Sequence, residues 1–213
     1  HLSREPPDQG LVVGTGFIMD AVNTALAGHN AAFGARVAGP TALNQFFRLA
    51  PEINRVTGAF GDFTSDPKCY YDNQTRRWFL TLLQLDVDAP SGGFSGRSHL
   101  LLAVSQTASP TGSFNLFSID VTNDGQNGTP SHRRCPCFGD QPLLGADANG
   151  LFISTNEFPL FVPGFNGAQI YALSKRKLAA GVLPTVVHID GGSLEDGPSY
   201  SVQPATSPDL GRG

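Results

Sequence analysis

Short runs of β-branched, aromatic and aliphatic residues alternate along this chain with clusters of turn-forming residues. Such runs, bounded by Gly, Pro, Asn, Asp and Ser, are typical of β-strands joined by tight turns. Two segments, 43–49 and 174–180, have a helix-like pattern, but each is about two turns at most, so we expect loop excursions there. Seven runs predict strands: residues 17–19, 78–83, 99–104, 114–119, 151–154, 168–173 and 185–189.

The chain contains an internal repeat. Pro67 and Pro142 are 75 positions apart, and so are Asp72 and Asp147, which puts each Asp five residues after its Pro. A Pro is tolerated in a strand where no ladder donor is needed. An Asp that opens a hairpin turn accepts hydrogen bonds from local backbone N–H groups. We therefore interpret the two segments as copies of one structural unit.

The second halves of the two copies also match. The corresponding pairs are Val104-Ser105 with Leu173-Ser174, 69 positions apart, and Ile119-Asp120 with Ile189-Asp190, 70 positions apart. Each copy then holds four strands. A four-stranded antiparallel unit that recurs about every 70 residues is typical of a β-propeller blade.

The predicted fold is all-β, a β-propeller with about three four-stranded antiparallel blades. The blades span about 11–60, 66–121 and 140–190, and a further blade starts in 199–213. Residues 1–213 then form a single partial propeller domain. Propellers typically close with about four to eight blades, so we expect a fragment of a larger ring that exposes apolar surface and associates.

Composition narrows the classes of function. Apolar residues make up 40% of the chain and charged residues 15%, with a net charge of −4 and a pI near 5.6. Nucleic-acid binding requires a basic face, so we expect no nucleic-acid partner. No apolar run reaches the roughly 18 residues of a membrane span. We therefore expect no membrane span.

Three motifs in order at blade spacing carry a family resemblance. They are Asp66-Pro67 followed by Arg77-Trp78-Phe79, then Ser109-Pro110-Thr111-Gly112-Ser113-Phe114, then Gly139-Asp140-Gln141-Pro142 followed by Phe152-Ile153-Ser154-Thr155-Asn156. From about Leu11 to Pro208 the chain resembles a family of secreted bacterial β-propeller proteins. The resemblance implies a propeller fold and a secreted or cell-surface location, and it implies no reaction.

A weaker likeness links the chain to sialidase-type propellers. The segment from Ser109 to Phe114 lies where their Asp-box turn lies, with a Gly and an aromatic residue but without the Asp. We interpret it as a structural blade turn.

The best candidate for a bound ion is a calcium loop at Asp120, Thr122 and Asp124. Oxygen-bearing side chains at alternate positions before Gly125 are the first half of a calcium-binding pattern. The pattern is incomplete, because Ser131 stands where a bidentate Glu is usual, although a distant carboxylate such as Asp140 would complete the set. The alternative is a polar interblade loop.

The chain has three cysteines, Cys69, Cys135 and Cys137. The Cys-Pro-Cys spacing is tight for a mutual disulfide. A bridge from Cys69 to one of the pair and three free thiols both remain open. Zinc is disfavoured, since it requires a fourth ligand and two-residue gaps are the usual spacing.

No catalytic signature is visible in the sequence. His99 and His188 fall inside predicted strands, and Glu157 lies just past a strand with no identifiable carboxylate partner for glycosidic cleavage. We predict a non-catalytic extracellular binding or scaffold propeller whose ligand is a carbohydrate or a protein. The alternative is a secreted glycoside hydrolase of sialidase-like propeller type whose catalytic residues lie partly outside this chain.

Overall fold

The structure, a computed structural model, describes residues 8–207. The first sheet consists of β1 Gln9–Gly14, β2 Phe17–Val22, β3 Ala25–Asn30 and β4 Arg36–Ala42, and it is followed by the short helix α1 Leu43–Phe46. Thr15 and Gly16, which join β1 to β2, both have positive φ. A two-residue hairpin turn of the primed type requires that conformation.

The second and third sheets repeat this arrangement on a larger scale. The second contains β5 Phe63–Asp72, β6 Arg77–Val87, β7 Phe94–Ser105 and β8 Phe114–Asp120. The third contains β9 Cys137–Ala146, β10 Gly150–Pro159, β11 Gly167–Ser174 and β12 Val187–Asp190, with α2 Lys175–Ala179 after β11. A two-stranded ribbon follows, formed by β13 Ser193–Leu194 and β14 Gly197–Pro198.

Every four-stranded sheet is an antiparallel meander in chain order. The first strands of successive sheets are neighbours, since β1 contacts β5 and β5 contacts β9. Successive meanders packed through their first strands are the arrangement of propeller blades. The prediction of an all-β fold built from four-stranded antiparallel blades is confirmed.

The predicted blade limits and the further blade at 199–213 remain predictions. Residues 199–207 form no strand; they lie against the third sheet, where the Ser207 N–H donates to the Ala146 carbonyl at 2.9 Å. Residues 208–213 lie outside the described residues. The two segments expected as loop excursions each form about one helical turn, and at α2 the Ser174 side chain accepts a hydrogen bond from the Lys177 N–H.

The second sheet is buried on both faces. Alternate residues of β6 enter two cores: Trp78, Leu80 and Leu82 pack toward the first sheet, whereas Phe79 packs toward the third. A strand covered on both faces has a continuous apolar sequence instead of an alternating one. This burial explains the uninterrupted run from Trp78 to Leu83.

The repeated Pro marks a β-bulge in β5 and in β9. The pairing register shifts between Ser65 and Lys68 in one sheet and opposite Gln141-Pro142 in the other. The residues before the two prolines, Asp66 and Gln141, have φ values of 59° and 47°. A bulge accommodates a Pro because no ladder donor is needed there, and it redirects nearby side chains.

The predicted turn role of the repeated Asp is confirmed. Asp72 accepts a hydrogen bond from the Thr75 N–H at 2.7 Å. Asp147 accepts hydrogen bonds from the N–H groups of Asn149 and Gly150 at 2.7 and 2.6 Å. Lys175 joins the two turns across the sheets, with its Nζ 2.8 Å from Asp72 Oδ1 and a second hydrogen bond to the Asp147 carbonyl.

Candidate functional site

The first strands of the three sheets, β1, β5 and β9, lie next to one another, and we call them the inner strands. Three carboxyl groups meet near the start of these strands. We call Asp8, Asp66 and Asp140 the inner-strand carboxyl cluster. Asp66 and Asp140 are joined by a hydrogen bond between their side chains. Two carboxyl groups can form such a bond only when one of them carries a proton. The pair therefore presents both a hydroxyl donor and acceptor oxygens.

The bulges position this pair. The Gln141 N–H, next to the second bulge, donates to Asp66 Oδ2 at 3.1 Å across the two sheets. Ser65 donates its hydroxyl to Asp66 Oδ1 at 2.8 Å. Asp66 is buried and Asp140 is half-buried. The pair is thus held by the backbone of two neighbouring strands.

Asn23 connects the pair to the first sheet. Its Oδ1 accepts the Asp66 N–H at 3.0 Å, and its Nδ2 donates to Asp8 Oδ2 at 3.2 Å. Asn23 lies in the turn between β2 and β3, at the end of the sheet where β1 begins. All three sheets therefore contribute to one hydrogen-bonded network.

The surroundings raise the pKa of Asp140 to about 7. Burial is the largest cause, followed by the negative charge of Asp66 and the hydrogen bond with it, and then by the charge of Asp8. The Gln141 N–H acts in the opposite direction. A carboxyl with this pKa exchanges its proton near neutral pH, as general acids do.

A cavity of about 640 Å³ adjoins the cluster between the first and second sheets. Asn23, which bonds to Asp8 and Asp66, forms part of its wall. The other polar wall residues include Asn44, Gln45, Arg48, Glu52 and Thr64. Arg48 has a φ of 61°, a left-handed conformation that is costly for a residue other than glycine and is often found at functional sites.

A second polar cluster surrounds Glu157 on β10, whose side chain is only 1% exposed. His132 Nδ1 lies 2.9 Å from Glu157 Oε1, Asn166 donates to the same oxygen at 2.9 Å, and Asn123 donates to Oε2. We call these four residues, with Cys135 and Cys137, the Glu157 cluster. Cys135 Sγ is 3.9 Å from Glu157 Oε1.

The Glu157 cluster borders a second cavity of about 260 Å³. His188 and Tyr171 line it and stack on each other at 5.0 Å, while the rings of His188 and His132 are 5.6 Å apart. Burial, followed by the nearby charge of His132, lowers the pKa of His188. Burial raises the pKa of Tyr171. His188 is therefore a histidine packed within its strand. The other histidine that the sequence analysis placed in a strand, His99, lies on β7 with its Nδ1 3.1 Å from Asp86 Oδ1.

The proposed calcium ligands each have local partners. Asp120 Oδ2 is 2.7 Å from Arg97, Thr122 Oγ1 donates to the Ser98 carbonyl at 3.3 Å, and Asp124 accepts the Gln126 N–H at 3.0 Å. Asp140, considered as a distant fourth ligand, pairs with Asp66 instead. Calcium at Asp120, Thr122 and Asp124 stays a prediction.

The interpretation of the cysteines was wrong on one point: Cys135 and Cys137 form a disulfide, and Cys69 is free. Cys137 is the first residue of β9, whereas Cys135 belongs to the loop before it. Because the two cysteines are not part of one extended strand, the tight Cys-Pro-Cys spacing does not prevent the bond. Cys69 lies in β5, where burial raises its pKa to about 12.

The sequence places Asp66 and Asp140 in two motifs of the family resemblance, and Asp140 also in the calcium set, but it does not pair them with each other. Sequence reasoning named Glu157 without partners, because Asn123, His132 and Asn166 come from loops that connect different strands. Two sequence signals were available: an Asp at or beside each repeated Pro, in Asp66-Pro67 and Asp140-Gln141-Pro142, and a histidine three residues before Cys135. Neither signal specifies a partner.

No family model and no curated protein matches the chain. Three solved structures have a low similarity to it. A proposed exo-β-1,3-galactanase from Bifidobacterium bifidum s17 shares 14% identity at a TM-score of 0.46, over 90% of this chain and 54% of that one. An exo-β-1,3-galactanase from Clostridium thermocellum shares 10% identity at a TM-score of 0.42, over 78% and 41%.

The third structure is a GH43 β-1,3-galactosidase bound to galactodeoxynojirimycin, with 12% identity and a TM-score of 0.46, over 85% of this chain and 61% of that one. The chain thus spans less than two thirds of the length of each of the three. These similarities assign neither a family nor an activity to it. Within residues 8–207, no helix has the length and apolar character needed to cross a membrane.

Proposed function

We propose that the protein binds carbohydrate at the inner-strand carboxyl cluster and the cavity beside it. The observation that carries this proposal is the hydrogen-bonded pair of Asp66 and Asp140. A pair that shares a proton offers a donor and several acceptors at fixed positions. Sugar hydroxyls require both, because each of them donates one hydrogen bond and accepts others.

The cavity adds further groups of the same kind. Asn23, Gln45 and Thr64 supply amide and hydroxyl groups, and Leu49 supplies an apolar surface. A few fixed polar groups in a concave, partly apolar site are typical of small-molecule sites. A concave cavity of about 640 Å³ fits a small ligand such as a sugar better than a protein, because stable protein interfaces bury roughly 800 Å² of each partner.

Hydrolysis of a glycosidic bond is a second candidate, favoured by the pKa of about 7 at Asp140. Glycosidases use one protonated carboxyl as the acid and a second carboxylate at least about 5 Å away. Asp66 is too close to be that second group, because it bonds directly to Asp140. Asp8 would have to serve, and on this proposal Asp140 is the acid.

We also propose a secreted or cell-surface location. The disulfide between Cys135 and Cys137 supports it. Structural disulfides persist in oxidising compartments and are rare in the cytosol. The location can be tested by fractionating the producing cells.

Both candidate functions are tested by isothermal titration of the full chain at pH 6. The probes are oligosaccharides of β-linked galactose, glucose and xylose and an oligogalacturonide. Asp140→Asn should weaken binding by about tenfold or more, since hydrogen bonds to charged groups contribute roughly 1.5–3 kcal/mol. The control is Asp196→Asn at an exposed position. Failure of every probe to bind, or equal binding by both variants, would overturn the proposal.

Release of new reducing ends separates the two candidates. If the site hydrolyses the glycan that it binds, the unmodified chain releases reducing ends and Asp140→Asn does not, even at probe concentrations that saturate the weakened binding of the variant. Binding without release supports the non-catalytic function and excludes hydrolysis of that probe.

A further inference from the structure

The Glu157 cluster contains a buried carboxylate without a fixed positive charge beside it. Its partners among the described residues are the amides of Asn123 and Asn166, the disulfide sulfur of Cys135 and the imidazole of His132. Burying a carboxylate is costly unless a cation compensates it. At 1% exposure, Glu157 therefore has the environment of a cation ligand.

The donor atoms around Glu157 are those of a zinc site. The sulfurs of Cys135 and Cys137 and a carboxylate oxygen of Glu157 all lie within 4.8 Å of one another. His132 adds an imidazole nitrogen 2.9 Å from that carboxylate. Two sulfurs, one nitrogen and one oxygen make the four ligands that zinc prefers, and soft sulfur ligands disfavour calcium and magnesium.

We propose that Cys135, Cys137, Glu157 and His132 bind Zn²⁺ when the disulfide is reduced. A phosphine reductant breaks the S–S bond, water supplies the two protons of the thiols, and the phosphine leaves as its oxide. Zinc then replaces the two thiol protons, which pass to solvent, as two S–Zn bonds form. The two sulfurs thus bind either each other or the metal.

The surrounding structure permits this exchange. Cys135 is partly exposed and belongs to a loop, so its side chain can rotate away from Cys137 and a reductant can reach it. The backbone holds the other ligands: the His132 N–H donates to the Asn123 carbonyl at 2.8 Å, and the Asn166 N–H donates to the Glu157 carbonyl at 2.9 Å. The Asn166 amide nitrogen is 3.4 Å from Cys137 Sγ, where it would stabilise a bound thiolate as outer-shell groups do.

The test uses the full chain carrying Cys69→Ala, which removes the third thiol. One sample stays oxidised, and the other is reduced with a phosphine and desalted without oxygen. Both are titrated with Co²⁺, a spectroscopic substitute for zinc, and Zn²⁺ is then added. We expect one equivalent to bind to the reduced sample only, with a thiolate-to-cobalt charge-transfer band and the visible bands of tetrahedral cobalt, and zinc should displace the cobalt.

Two variants identify the ligands. His132→Gln should weaken zinc binding by more than about 100-fold, because even outer-shell substitutions cost 10–100-fold. His29→Gln is the matched control, since His29 lies on β3 in the first sheet. Far-ultraviolet circular dichroism verifies that the oxidised, reduced and variant samples are all folded.

Three results would overturn the zinc site: no cobalt binding by the folded, reduced chain, cobalt spectra without the thiolate band, or equal affinity in His132→Gln and His29→Gln. Unfolding on reduction would also overturn it, because the ligands would then not be assembled. These results do not depend on the carboxyl cluster, so carbohydrate binding and zinc binding can fail separately.

Discussion

Strand β5 carries two aspartates six residues apart whose surroundings are opposite. Asp66 faces another acid, Asp140, whereas Asp72 faces Lys175 at 2.8 Å in a buried ion pair with side-chain exposures of 3% and 2%. Burial alone would raise the pKa of Asp72, but hydrogen bonds from Lys175 and Thr75 hold it below its usual range. One interface between two sheets therefore lowers the pKa of a carboxyl at one end and raises that of another at the other end.

The two ends respond to pH in opposite directions. Asp72 has a lowered pKa, so its contribution to stability is present above the unfolded value near 4 and is lost as the pH falls through the folded value. Asp140 has a raised pKa, so its contribution is full below about 4 and is lost as the pH rises through about 7. Acid therefore destabilises the end of the interface that contains Asp72, and base destabilises the end that contains Asp140.

The largest expected effect comes from removing the cation. Lys175→Met should lower the free energy of unfolding by about 3–5 kcal/mol, because it leaves the buried Asp72 charge uncompensated. Without Lys175, Asp72 should respond to pH as Asp140 does. Its pKa should be raised, and the free energy of unfolding of the variant should fall as the pH rises through that pKa. Urea unfolding at several pH values measures both effects.

Lys177→Met is the matched control, because Lys177 is exposed on the same short helix. The free energy of unfolding should be lower in Lys175→Met than in Lys177→Met by most of the roughly 3–5 kcal/mol predicted for loss of the buried ion pair. If Lys175→Met unfolds at the same urea concentration as Lys177→Met, the ion pair contributes nothing and the contrast between the two ends is lost.

A smaller effect is expected at the acidic end. Asp140→Asn removes the group whose raised pKa weakens the fold near neutral pH, so the decline in thermal stability between about pH 4 and pH 7 should become shallower. Melting temperatures measured across that range, with Asp196→Asn as the control, determine the slope. A slope that Asp140→Asn leaves unchanged would mean that Asp140 titrates like an exposed carboxyl.

The smallest effect concerns the second repeated Asp. Asp147→Ala removes the acceptor for the Asn149 and Gly150 N–H groups and should cost about 1 kcal/mol. It leaves the Lys175 ion pair with Asp72 in place, since Lys175 bonds to the backbone carbonyl of Asp147. A loss as large as that of Lys175→Met would show that the turn, and not the ion pair, stabilises this end.

The fold was predictable because its signals are local. Six of the predicted runs lie in β2, β6, β7, β8, β10 and β11, and the seventh overlaps β12. The 75-residue spacing of Pro and Asp marks equivalent bulges and turns. Strand periodicity and turn residues depend on neighbours in sequence, so a single chain is enough to read them.

The site was less predictable because its contacts join distant segments. The hydrogen bond from the Gln141 N–H to Asp66 spans 75 residues, and the one from Lys175 to Asp72 spans 103. The sequence marks Asp66 and Asp72 alike, as acids near a repeated Pro. Only the packing of one sheet on the next determines that the first meets an acid and the second a lysine.

The double burial of the second sheet has a consequence for cooperativity. Its two faces complete both hydrophobic cores, one with the first sheet and one with the third. Opening the first sheet exposes one core, whereas opening the second exposes both at once. Since local opening free energies scale with the contacts that are lost, the backbone amides of β6 and β7 belong to the last unit to open, and the first sheet can open before them.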